Sequence, residues 1–219
     1  MIALHLPSGP LRIVCLGAHP DDIEIGCGGT LLTLAESRVV QAVVAVATGT
    51  GERLDEAVKS TARFLPGADP DVRIMGLQDG FLPTQWGAVK EALEQLSAST
   101  TADVVFAPRS DDAHQDHRLM AELAPTVWRD ALVLHYEIPK WDGDLGRVSH
   151  YVALDPKIAR RKVELLHECF PSQTGRDWWD DETFLALMRI RGVECRSRYA
   201  EGFTVTKALL SLQRGENGG

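Results

Sequence analysis

The chain has 219 residues, 44% of them hydrophobic and 25% charged, with a formal net charge of −8. That length is enough for one good core, and the balance is that of an ordinary soluble globular protein. An acidic chain without a lysine or arginine run is poorly suited to nucleic acid or to an anionic membrane, because both demand a basic surface.

Met1 to Pro7 has neither a basic stretch nor a long apolar core, so no signal peptide is expected. The longest apolar run, Val39 to Ala47, is broken by Gln41 and is too short to span a bilayer. Cys15, Cys27, Cys169 and Cys195 show no C-x-x-C spacing, which reads as reduced thiols in a cytoplasmic protein. Cys27 stands close to a polar loop, but no second thiol lies at ligand spacing.

In chain order, Ile13 to Gly17 is a short apolar run that reads as a buried strand, and Gly26-Cys27-Gly28-Gly29-Thr30 opens an apolar helical pattern. Val39 to Val46 is nearly all apolar and rich in β-branched residues, as in a parallel strand covered on both faces. Val72 to Met75 and Val104 to Ala107 are further strand candidates, with Trp86, Val89, Leu93 and Leu96 at helical spacing between them. Leu119, Leu123 and Val127 mark a helix starting just after His117, and Leu132 to Tyr136 and Val148 to Leu154 read as strands. Asp155-Pro156 is a helix start, with Asp as cap and Pro in the first turn, and the helix runs to about Cys169. Phe170 to Asp181, which holds Trp178 and Trp179, reads as a loop lying over something. Strands alternating with helices predict a doubly wound α/β fold with a mostly parallel sheet. No repeat or linker divides the chain, so one domain over 1–219 is expected, with flexible ends at about 1–10 and 212–219.

Two polar clusters stand out. Ala18-His19-Pro20-Asp21-Asp22 follows the first strand, and Asp111-Asp112-Ala113-His114-Gln115-Asp116-His117 follows the fourth. In open α/β sheets ligands bind at the carboxyl edge of the strands. A catalytic zinc takes three nitrogen or oxygen ligands and leaves a position for water. His19 and Asp22 can turn to one point. Of His114 and His117, one can bind metal while the other faces a substrate. Asp21 could then take a proton from an activated water, and Asp116 could orient one imidazole. Taken alone, His-Pro-Asp-Asp also reads as a capped turn, and His-x-x-His arises by chance on exposed turns. Gly26-Cys27-Gly28-Gly29 does not match a dinucleotide-binding loop, and close helix–strand packing accounts for its glycines.

At these residues the chain resembles the PIG-L/LmbE-like zinc-dependent N-deacetylases. The resemblance runs through Ala18 to Asp22, Gly28-Gly29-Thr30, Thr48 to Glu52, Arg53 to Ala57, Leu77 to Gly80, His114 to Arg118, Ser172-Gln173 and Tyr199 to Phe203. It implies a Rossmann-like fold and one zinc per chain, held by His19, Asp22 and His117. It implies Asp21 as general base and His114 as the group that stabilises the oxyanion and can protonate the departing amine, with Asp116 holding His114. Arg53 and Asp79 match positions that contact sugar hydroxyls in relatives, although an ion pair from Arg53 to Glu56 or Asp79 is the plainer reading. Trp178 and Trp179 are candidates for a lid or sugar-stacking platform, or else simply core packing.

Two departures from the family pattern are visible. Ile23 replaces an acidic residue, and Gly51-Glu52 runs directly into Arg53 without the longer insert, which suggests a more open pocket. The expected reaction is removal of an N-acetyl group from an amino sugar or amino-sugar conjugate, with a small-molecule partner. Alternatives are a same-family amidase or deacylase acting on a thiol conjugate or natural product, and a non-catalytic metal- or sugar-binding module. Iron(II) or cobalt would suit the same ligands, and a homo-oligomer is left open.

Overall fold

The structure is a computed structural model that describes residues 1–210; the tail expected to be flexible, 212–219, lies outside the described residues. Residues 1–10 form no helix or strand. Five parallel strands come first: β1 (Leu11–Gly17), β2 (Val40–Val46), β3 (Asp71–Ile74), β4 (Val104–Pro108) and β5 (Leu132–Tyr136). The helices between them are α1 (Asp22–Ser37), α2 (Glu52–Phe64), α3 (Trp86–Ser99) and α4 (Gln115–Val127). Strand β6 (His150–Leu154), α5 (Pro156–Cys169), α6 (Asp181–Cys195) and β7 (Tyr199–Thr204) complete the chain.

The sheet order is β3-β2-β1-β4-β5-β7-β6, with β7 antiparallel to both of its neighbours. The central strands are apolar on both sides because both faces are covered. In β1, Leu11, Ile13 and Cys15 join one core with α1, α2, α5 and α6, while Val14 and Leu16 join a second core with α3 and α4. From β1 the chain winds outward to β2 and β3, then returns across the sheet to β4. The boundary between β1 and β4 is therefore the topological switch point, where their carboxyl ends leave a crevice. Among the described residues no helix is long and apolar enough to cross a membrane.

Helix α1 begins at Asp22, upstream of the glycines expected to open it. The glycines lie inside the helix because neighbours press against it. A Cβ on Gly26 would stand 2.1 Å from the Tyr136 ring, and one on Gly28 would stand 2.6 Å from Phe64. Helix α6 and strand β7 give a weak sequence signal. On α6, Phe184 and Met188 are buried while Ile190 and Val193 are exposed, so no clean apolar stripe forms. β7 carries Glu201 and Gly202 in its interior, which disguises it as a loop.

Candidate metal centre

The turn after β1 places the first cluster. Asp21 caps α1 with φ 103°, a left-handed conformation rarely adopted by a residue with a side chain. Asp22 opens the first turn, where the helix dipole favours a carboxylate. Its Oδ2 accepts hydrogen bonds from the N–H groups of Ala18 at 2.9 Å and His19 at 2.8 Å, which fixes the carboxylate and turns Oδ1 toward His117.

The second cluster forms the start of α4. His114 is the cap residue, and its Nδ1 accepts from the Asp116 N–H at 3.2 Å. His117 follows in the first turn. The carboxyl ends of β1 and β4 bring the clusters together: His19 Nδ1 lies 3.1 Å from His117 Nε2 and 3.5 Å from Asp22 Oδ2, and His117 Nε2 lies 3.3 Å from Asp22 Oδ1. A tetrahedral zinc with ligands at about 2.0–2.1 Å needs ligand atoms about 3.3–3.4 Å apart. The separations here are of that size, with His19 facing Oδ2 of Asp22 and His117 facing Oδ1, so the two imidazoles and the carboxylate suit such an ion. The His114 ring stacks on His117 at 4.7 Å between centroids and meets His19 edge-on at 4.7 Å.

The electrostatics favour a cation at that point. Burial opposes charge on His19, but Asp22, Asp116 and Asp79 outweigh it and push the imidazole up to about 12. Burial likewise opposes charge on His117, yet Asp22 and Asp112 push it up to about 9. Burial raises Asp22, but His117 and His19 hold it well below the usual carboxylate range. The outer ring nitrogens face carboxylates: His19 Nε2 lies 3.0 Å from Asp79 and 3.4 Å from Asp116, and His117 Nδ1 lies 3.0 Å from Asp112.

Asp21 is buried and stands apart from this set. Burial pushes its carboxyl up to about 7, against the lowering effect of Arg53 Nη2 at 3.1 Å. Burial, then the charges on His117 and His19, lower the His114 pKa from its ordinary value. With Nδ1 accepting from the backbone, its proton sits on Nε2.

Several expected contacts fall elsewhere. The Asp116 carboxylate does not reach His114. It accepts from Gly80 N at 2.7 Å and Leu82 N at 3.0 Å, because it sits in the first turn while the cap contact uses its backbone N–H. Arg53 lies on Asp21 and the Pro20 carbonyl, with Glu56 at 3.8 Å, and Asp79 lies on His19 while staying 74% exposed. Trp179 is buried against Phe170 and Phe184, and Trp178 packs edge-on to Trp141 and Phe184. Trp179 therefore fills core between α5 and α6, while Trp178 is partly buried at the margin of that core.

Two residues at the centre were given no role from sequence. Asp112 contacts His117 and accepts from His114 N, and Lys140 reaches Asp112 from the segment after β5. Asp112 lies in the second polar cluster, two residues before His114 and five before His117, which is the signal that could have found it. Lys140 sits in no motif and gives none.

The sequence profile of PIG-L, GlcNAc-PI de-N-acetylase, matches residues 14–128. The chain is 30% identical over 137 residues to an uncharacterised deacetylase of Escherichia coli K12, YaiS, covering 58% of this chain and 74% of that one. It superposes on the conserved protein TT1542 from Thermus thermophilus with a TM-score of 0.71 at 25% identity, over 92% of this chain and 97% of that one. The N,N'-diacetylchitobiose deacetylase of Pyrococcus horikoshii shares the fold, with a TM-score of 0.69 at 21% identity over 89% of this chain and 83% of that one. A matched profile that spans both polar clusters, together with a relative at this identity, makes the chain a member of the PIG-L (GlcNAc-PI de-N-acetylase) family.

Proposed function

We propose that the chain hydrolyses the amide of an N-acetyl amino sugar or amino-sugar conjugate, using zinc held by His19, Asp22 and His117. The observation that carries this reading is the triangle of His19 Nδ1, His117 Nε2 and the Asp22 carboxylate, with edges of 3.1–3.5 Å, beside a buried carboxylate that is not part of it. Zinc bound there would polarise an acyl carbonyl and acidify a water molecule.

The remaining work belongs to side chains. Asp21 accepts the proton of the attacking water, since Arg53 is its one ion-pair partner among the described residues. His114 donates from Nε2 to the carbonyl oxygen as negative charge develops there, because Nδ1 is committed to the backbone. The C–N bond then breaks, Asp21 returns its proton to the departing nitrogen, and acetate and free amine result. The Pyrococcus horikoshii enzyme of this fold acts on an acetylated amino sugar, which supports the substrate class. Four free cysteines suit a reducing compartment and support a cytoplasmic setting.

The test is acetate release from a panel of N-acetyl sugars, extended to lipid-linked, nucleotide-linked and pseudo-disaccharide substrates, with zinc measured by elemental analysis. Asp21→Ala should keep zinc and lose turnover, whereas His19→Ala should lose zinc. Equal zinc loss in both would overturn Asp21 as base. Zinc without hydrolysis of any N-acyl compound would favour a binding module.

A further inference from the structure

We propose that Asp112, its charge compensated by Lys140, is a positioning residue that fixes the orientation and donor strength of His117. This inference rests on the reading of His117 as a metal ligand. The Asp112 carboxylate is buried and makes three contacts at once. Oδ2 lies 3.0 Å from His117 Nδ1, while Oδ1 accepts from the His114 N–H at 2.8 Å and lies 3.0 Å from Lys140 Nζ. One side chain thus touches the ring of one motif histidine and the backbone of the other.

His117 presents Nε2 to His19 and Asp22, so binding a cation there requires its proton on Nδ1. A carboxylate facing Nδ1 selects that tautomer and increases the electron density the ring can donate, the usual role of an outer carboxylate on a ligating histidine. Lys140 is also nearly buried, and its second partner is Asp144 at 2.6 Å, whose Oδ2 accepts from Ala113 N at 2.7 Å. The segment after β5 is therefore pinned to the loop that carries both histidines. Lys140 compensates a carboxylate that would otherwise be buried beside Asp144 with two negative charges and no cation.

The pair makes predictions of different sign for its two members. Asp112→Asn keeps the volume and removes the charge, so zinc affinity, measured by chelator competition on folded protein, should fall about 10- to 100-fold. Lys140→Met removes the cation that competes for Asp112 and leaves the carboxylate to His117 and the His114 N–H, so the affinity should hold or rise while the melting temperature drops. Nitrogen-15 spectra of the metal-free protein recorded above about pH 9, where the His117 ring carries a single proton, should show that proton on Nδ1 in the wild type and shifted toward Nε2 in Asp112→Asn. A purely structural role would lower stability in both variants and leave affinity and tautomer unchanged. Asp112→Asn binding zinc within twofold of a wild type that binds tightly would overturn this inference alone. A wild type that binds no zinc would overturn both it and the ligand assignment.

Discussion

Arg53 places its guanidinium 3.1 Å from the Asp21 carboxylate and donates to the carbonyl of Pro20, so one side chain grips two consecutive residues of the turn after β1. That turn needs holding, because Asp21 has φ 103° and such a conformation costs about 1–3 kcal/mol in a residue with a side chain. The grip suits a positioning role better than a sugar contact. Hydrogen bonds to charged groups contribute about 1.5–3 kcal/mol, so Arg53→Met should lower kcat/KM roughly ten- to hundredfold. Zinc content should be unchanged, since Arg53 contacts none of His19, Asp22 and His117 in an ion pair. A rise in KM with kcat intact would return Arg53 to the substrate.

Gly26 and Tyr136 are in closer contact than any larger residue allows. The Tyr136 ring is fully buried and its hydroxyl donates to Leu16 O at 2.7 Å, so the ring cannot retreat from a Cβ built 2.1 Å away. Overpacking in a filled core costs about 1–3 kcal/mol. Gly26→Ala should lower the urea midpoint accordingly. Gly87→Ala, where a Cβ would meet nothing within 4 Å among the described residues, should not lower it.

The same contrast explains what the sequence made legible. The parallel strands showed because both faces of the sheet are covered, which writes a nearly continuous apolar run at Val40–Val46, interrupted by Gln41, and a continuous one at Val104–Pro108. The two clusters showed because several charged or ionisable residues crowd the ends of core strands. What stayed hidden depends on distant partners. Nothing local to Asp116 says that its carboxylate will serve Gly80 and Leu82, and nothing local to Lys140 says that it will meet Asp112. Whether Trp179 was platform or core was open in the sequence because α6, which covers it, lacks a clear apolar stripe.

Glu201 illustrates the hidden class and carries a prediction of its own. Helix α1 breaks at Cys27, with φ −140°, and the break frees the N–H groups of Gly29 and Thr30. Glu201 of β7 accepts both, at 2.8 and 2.7 Å, and Lys162 of α5 neutralises it at 2.6 Å. Lys162 also donates to Ile25 O, upstream of the break. Removing one partner of a buried pair costs about 3–5 kcal/mol because the other charge is stranded. Lys162→Met should therefore destabilise strongly in urea unfolding, and adding Glu201→Gln should recover part of the loss. An additive double variant would show that the two do not act as a pair.

His135 of β5 supplies a pH dependence away from the metal centre. It is buried, its Nδ1–H donates to Pro108 O at 2.8 Å, and Nε2 has no hydrogen-bond partner among the described residues. Burial depresses its pKa below the ordinary 6.5, with the Pro108 contact and Asp111 opposing. Only the unfolded chain then takes up this proton as the pH falls through about 6.5. The contribution of His135 to stability is complete above that pH and is lost as the pH falls toward the folded-state value. His135→Gln offers an amide donor for the Pro108 carbonyl and cannot titrate. Its stability in urea should fall less than that of the wild type between about pH 7 and pH 5. The comparison isolates this group, because His19 and His117 are raised and so act with the opposite sign in both proteins. Parallel stability curves would show that His135 carries its proton equally in the folded and unfolded chains, and that its burial is compensated by the Pro108 contact and Asp111.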